Sequence, residues 1–191
     1  MNPLLGETRF YFAQCVFNTT CHYEAIEKYE KIRRGRQNMA LLITFSTVIV
    51  LVSTIICWEC DCQTILRILS LIGTAFTAVT LAFEFYNRED LTEIMFYHKQ
   101  AAEDYKTLRD GLMDIIRQIK SGKSDSEIES FLKVCLRDYS MIGKYSLATT
   151  YEDYNSAQKK LGLNGSNESF TWSKEEIDRF LPHELRESQF D

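Results

Sequence analysis

The chain has 191 residues, 45% hydrophobic, 26% charged and 13% aromatic, with two prolines, eight glycines and a formal net charge of -5 at pH 7. This composition excludes collagenous and Pro-rich disordered chains, and the acidic balance offers no basic face to neutralise nucleic-acid phosphates. On average it reads as one ordinary soluble domain, but the apolar residues are concentrated in the middle of the chain.

Residues 1–38 read as an N-terminal cytoplasmic helix, with His22, Ala25, Tyr29 and Ile32 recurring at helical spacing. The first thirty residues carry no apolar core of the signal-peptide kind, so no cleavable signal is expected. Residues 39–58 form the first span. Met39 to Trp58 is twenty consecutive uncharged residues, and at ~1.5 Å per residue these make roughly 30 Å of helix, the thickness of a bilayer's hydrocarbon core. Residues 59–63 are too few for anything but a tight turn. Residues 64–86 form the second span, charge-free from Ile68 to Phe83. It reaches full length if Arg67 snorkels outward and Glu84 sits near the opposite interface.

Lys28, Lys31, Arg33, Arg34 and Arg36 precede the first span, whereas Glu59 to Gln63 contains no Lys or Arg. The positive-inside rule therefore places both termini in the cytoplasm, with the turn outside. Trp58 at the outer edge and Phe85 and Tyr86 at the inner edge fit aromatic belts.

Residues 87–120 read as a cytoplasmic heptad helix continuing from the second span without a break. Leu91, Ile94, His98, Ala101, Tyr105, Leu108, Leu112, Ile115 and Ile119 form its seam, and Ser121-Gly122-Lys123-Ser124 ends it. Residues 124–161 form a further helical region opened by a capping box of Ser126 with Glu129. Within it Met141–Leu161 is tyrosine-rich, with Tyr145, Tyr151 and Tyr154 spaced to meet a neighbouring helix. Residues 162–191 hold a loop at Asn164–Asn167 and a short helix capped by Ser173 and Glu176. Trp172, Ile177, Phe180 and Leu181 would dock that helix on the bundle or engage a partner. The expected fold class is an all-α membrane protein. It comprises a two-transmembrane hairpin, long cytoplasmic antiparallel helical (coiled-coil) extensions and a C-terminal helical tail.

No catalytic set is visible. The three histidines His22, His98 and His183 show no metal spacing with acids or cysteines, and no phosphate loop, nucleophile elbow or Cys–His arrangement occurs. The expectation is a non-enzyme without cofactor or metal. Cys60 and Cys62 in the turn are too close for an easy intrachain disulfide, and Cys15, Cys21 and Cys135 would be cytoplasmic and reduced.

Two constellations stand out. In the second span Ser70, Gly73, Thr77, Thr80 and Glu84 repeat at three and four, and Thr44, Thr47 and Thr54 partly mirror them on the first. Such a stripe either lets helices pack closely or lines a pore in an oligomer, with Glu84 at the inner mouth and Glu59 and Asp61 at the outer one.

The second constellation is an internal match of the form H-x-x-A-x-E-x-Y. His22, Ala25, Glu27, Tyr29, Arg33 and Gly35 correspond to His98, Ala101, Glu103, Tyr105, Arg109 and Gly111. If the two helices pack antiparallel with Arg36 beside Leu91, His22 faces Tyr105 and Tyr29 faces His98. These reciprocal pairs serve as structural hydrogen bonds or as a pH- or ligand-sensitive latch.

The layout of an H-x-x-A helix, a basic stretch, a tight two-span hairpin, Y-H-x-x-A-A-x-x-Y-x-x-L from Tyr97 to Leu108 and a helical tail covers Arg9 to Leu161. It resembles the SLATT-type two-transmembrane effectors of bacterial conflict systems. The resemblance implies a homo-oligomer in the lipid bilayer that breaches the inner membrane when a sensor protein or nucleotide second messenger reports phage, with no direct contact to nucleic acid. Two other readings compete. One is a non-conducting scaffold recruiting a partner through the tail Trp172–Arg186. The other is a constitutive cation channel resembling uniporter-type hairpins, whose W-D-x-x-E entrance the Trp58–Asp61 turn matches poorly.

Overall fold

The computed structural model describes residues 3–59, 63–86, 90–163 and 172–187, with Tyr86 described by its backbone alone. All regular structure among these residues is helical. The helices are α1 (Pro3–Glu59), α2 (Gln63–Tyr86), α3 (Leu91–Lys120), α4 (Asp125–Tyr145), α5 (Tyr151–Leu161) and α6 (Lys174–Asp178), followed by a 3-10 turn at His183–Leu185. Asp61, Cys60, Cys62 and the Asn164–Asn167 loop lie outside the described residues. The chain divides into two compact units, residues 1–27 with 92–191 and residues 28–91.

The first unit is a helical bundle. Its core joins Phe12, Ala13 and Cys15 of α1 to Leu108, Leu112, Ile115 and Ile116 of α3 and to Ile128 and Leu132 of α4. The predicted heptad seam is the buried face of α3, widened by Ala102 and Ile116. The tail completes the core with Ile177, Leu181 and Leu185. A second cluster of Phe17, Cys21, Ala157 and Leu163 holds α5 on α1. Arg9 and Asp178, 169 residues apart, form a buried ion pair at 2.8 Å that ties the tail to the start of α1.

Three local expectations need correction. The second span and the heptad helix are not continuous: α2 ends at Tyr86 and Asp90 lies outside any helix. Asn and Asp compete for the backbone and favour such junctions, and Glu93 complements the dipole in the first turn of α3. Nor does Ser126 cap α4. Ser124 occupies that position, without a side-chain cap bond. Finally, α4 and α5 are separated at 146–150, where Thr150 and Asp153 form a full capping box. The Asp153 carboxylate accepts from the Thr150 N–H at 2.8 Å and its hydroxyl at 2.7 Å, which is how this acid tolerates burial. The capping box at Ser173 and Glu176 is present as predicted, and Gly122 stops α3 at φ 79°.

The second unit contains the remainder of α1 and all of α2. Each holds a helix long and apolar enough to cross a membrane, and none of the apolar window of either is buried. Glu59 ends α1 and Gln63 opens α2, so only residues 60–62 separate the two helices.

Candidate functional site

Within the hairpin unit the side chains of α2 sort into two faces. Leu66, Leu69, Gly73, Phe76, Thr80 and Phe83 are half-buried at spacings of three and four and form the seam toward α1. On α1 the half-buried set includes Ala40, Ile43, Thr47, Val50, Thr54 and Cys57. A Cβ added at Gly73 would lie 3.5 Å from Val50 Cγ1, an ordinary contact, so Gly73 faces Val50 across the seam.

The predicted stripe therefore divides. Gly73, Thr80, Thr47 and Thr54 belong to the packing seam, while Ser70, Thr77, Glu84 and Thr44 are exposed, as is Glu59 at the end of α1. Thr74 joins the exposed set. Thr74 follows Ser70 by four residues and precedes Thr77 by three, so it shares their face.

The threonine hydroxyls are already committed. Thr77 donates to the Gly73 carbonyl, Thr74 to Ser70, Thr80 to Phe76 and Thr44 to Ala40, each at 2.9 Å. Thr47 donates to Ile43 at 2.9 Å and Thr54 to Val50 at 2.7 Å. Each proton points back along its own helix, so the outward side of the oxygen can only accept. With Glu84 in line, the exposed face of α2 offers oxygen lone pairs and a carboxylate, ligands that suit cations. At the other end, a cleft of about 580 Å³ lies between α1 and α2, lined by Thr54, Trp58, Arg67 and Ser70.

Within the bundle unit the two equivalent histidines of the repeat meet each other. His22 and His98, both almost fully buried, share a hydrogen bond between their Nδ1 atoms at 2.9 Å. The expected reciprocal His–Tyr pairing is thus replaced by a His–His bond. His22 also stacks on Tyr105, with ring centroids 5.8 Å apart and planes tilted by 25°. Tyr29 belongs to the other unit, where the Lys28 ammonium lies 5.4 Å from its ring centroid.

The His22 ring lies between two side chains of α3, bonded to His98 and stacked on Tyr105. Ala101 and Ala102 are both buried and leave room for the His22 ring beside the two aromatics. The antiparallel arrangement itself holds: Cys15 senses the charge of Arg109 while His22 reaches His98.

An Nδ1–Nδ1 bond requires one ring to donate and the other to accept, so the pair holds opposite tautomers. Burial, then the neighbouring His98, push the His22 pKa down from 6.5 to about 4, against a smaller upward pull from Asp153. Around the pair, burial raises the Cys15, Cys21 and Tyr105 pKa values to about 12. Tyr139, raised in the same way, accepts from Asn18 Nδ2 at 3.1 Å and packs edge-on against Tyr105 at 5.8 Å.

The chain thus holds a two-span hairpin of lipid length and a helical bundle whose sequence carries H-x-x-A and Y-H-x-x-A-A-x-x-Y. Residues 4–176 match the family described as SMODS and SLOG-associating 2TM effector domain family 4. The chain belongs to this family. It is accordingly a membrane effector of the SLATT class acting in conflict systems. No curated protein and no solved structure matches the chain.

The match reaches Glu176 and so includes most of α6, placing the docked tail helix inside the SLATT domain. Among the described residues of this SLATT chain, no group of three or more His, Cys, Asp or Glu side chains is placed to hold a metal ion. Cys15 and Cys21 are held far from the thiolate form that nucleophilic chemistry requires.

Proposed function

We propose that this SLATT protein is a non-enzymatic effector that self-assembles in the inner membrane, both termini cytoplasmic, and passes cations when a sensor of infection activates it. The observation that carries this reading is the exposed acceptor line of Ser70, Thr74, Thr77 and Glu84 on a helix of bilayer length. Polar oxygens facing lipid are costly, and a single hairpin has no further helix to cover them. Copies arranged with this face inward would remove it from lipid and leave a lumen lined by hydroxyl oxygens with a ring of Glu84. Glu59 near the turn adds acid at the outer side.

The cytoplasmic bundle is the natural receiver of the signal, from a sensor protein or a nucleotide second messenger. Its buried His22–His98 pair, with His22 stacked on Tyr105, is a latch that any event protonating both rings or separating them would open. Recruitment through the tail is less favoured, because Ile177 and Leu181 are core residues of the bundle rather than a vacant face.

The test is membrane potential in cells expressing the full chain, followed with a potential-sensitive dye. The expected outcome is depolarisation that Thr77→Leu and Glu84→Ala diminish at equal membrane abundance. A potential unaffected by well-inserted, assembled protein would refute the proposal.

A further inference from the structure

The turn end of the hairpin holds a cleft whose lining sorts by chemistry. Arg67, one turn inside α2, is the single basic residue between Arg36 and Arg88, and its side chain is exposed on an otherwise apolar span. It lines the cleft of about 580 Å³ together with Leu66, Ser70 and Leu71 of α2 and Thr54 and Trp58 of α1. Among the described residues neither Arg67 nor the exposed Glu59 has an ion pair, so that acid does not neutralise the guanidinium.

Donors outnumber acceptors in this cleft. Ser70 differs from the threonines of the spans: among the described residues its hydroxyl makes no bond back along the helix, so its proton can point outward. The Trp58 indole N–H is likewise uncommitted among the described residues, on a ring that is 73% exposed. Only Thr54, whose proton goes to the Val50 carbonyl, presents an acceptor. Three donors, one of them cationic, suit an anionic oxygen ligand, and the guanidinium fork matches phosphate with two parallel N–H bonds. Leu66, Leu71 and the indole ring make the rest of the wall, so the ligand also carries an apolar chain.

We propose that this cleft holds an anionic phospholipid of the leaflet on the turn side, with its phosphate on Arg67 and Ser70. The start of one acyl chain lies along Leu66, Leu71 and Trp58. Two observations select a lipid over a soluble anion. The cleft stands at the end of two helices of bilayer length whose apolar windows are wholly unburied, so lipid surrounds it. A charged side chain in such a span is costly until it reaches the headgroups, and helical side chains lean toward the N-terminus, which for α2 is the turn. A zwitterionic lipid offers the same phosphate but sets its own ammonium beside the guanidinium, so a net anionic headgroup is preferred. The site does not depend on conduction. The two are linked at one point: Arg67 precedes Ser70 by three residues on the exposed line, and a bound phosphate cancels the positive charge at that end.

The experiment uses the full-length protein with Trp172→Phe, which leaves Trp58 as the sole tryptophan. It is reconstituted in phosphatidylcholine bilayers containing increasing amounts of brominated phosphatidylglycerol or, for comparison, brominated phosphatidylcholine. Bromine quenches an indole only at short range, so the loss of fluorescence reads the lipid seated beside Trp58. Association of the anionic lipid is expected to exceed that of the zwitterionic one about fivefold, the effect of one Arg near an anionic surface, and the ratio to fall to about one in Arg67→Gln. Inorganic phosphate in the buffer is expected to leave the quenching unchanged. Equal association of the two lipids in protein inserted with its helicity intact, or a preference that survives Arg67→Gln, would overturn the site. Reversal of the quenching by inorganic phosphate would overturn the lipid as its occupant. Membrane potential is measured separately, so failure of this site and failure of the proposed pore are distinguishable.

Discussion

Acid should loosen the cytoplasmic bundle through His22, and the size of the effect follows from its surroundings. His22 has an ordinary pKa of 6.5 when unfolded and about 4 in the bundle, chiefly because it is buried and secondarily because His98 adjoins it. The titratable groups facing it are His98 and Tyr105 on α3 and Asp153 on α5. Between those two pH values the unfolded state binds a proton that the folded state does not. The stabilisation is therefore complete above pH 6.5 and is lost as pH falls through the window down to about 4.

The full difference amounts to about 3 kcal/mol, and at pH 5 about 2 kcal/mol is already gone. A proton on one ring still permits the Nδ1–Nδ1 bond, whereas a second leaves no acceptor and sets two cations in contact. Hydrogen exchange of full-length protein in nanodiscs would read this directly. After correction for intrinsic rates, α3 amides from His98 to Tyr105 should exchange about thirty-fold faster at pH 5 than at pH 7. In His22→Gln most of that pH dependence should vanish. Equal protection at the two pH values, or unchanged acid loosening in His22→Gln, would refute the reasoning.

Other perturbations have equally definite outcomes. Arg9→Ala strands Asp178 as a buried charge and should cost about 3–5 kcal/mol, releasing the tail to protease, whereas the apolar double replacement Arg9→Met with Asp178→Leu should recover much of the loss. Gly73→Ala should leave the hairpin intact, since its Cβ makes only a 3.5 Å contact with Val50, while Gly73→Ile should separate the helices, as Cys–Cys cross-linking across the seam would show. With pKa values near 12 in place of 9, Cys15 and Cys21 should react with maleimide at pH 8 about a thousand-fold more slowly than an ordinary thiol, until denaturant exposes them.

Features written locally in the chain were legible in its sequence. The uncharged run from Met39 to Trp58 and the seam from His98 to Ile115 depend on periodicity and charge alone, and both have the predicted character in the structure. Features set by tertiary packing were not. Nothing near Arg9 signals that its partner lies at Asp178, because an ion pair across 169 residues leaves no local trace. The histidine register was legible in part: His22 does face Tyr105, but its hydrogen bond goes to His98, a choice between two neighbouring side chains of α3 that spacing alone does not make. The break between α4 and α5 was masked by continuous tyrosine spacing, although Thr150 with Asp153 carried its capping signal. In the hairpin the period of the polar stripe was readable, but which members face α1 depends on the rotation of the helices, and that divided Gly73 and Thr80 from Ser70 and Thr77.

The most direct test is potassium release from liposomes containing the purified, assembled full-length protein under an imposed gradient. The proposed pore predicts protein-dependent release of potassium but not of chloride, diminished by Thr77→Leu and by Glu84→Ala. Liposomes that remain sealed to potassium with assembled protein present, across the pH range that opens the histidine pair, would contradict it.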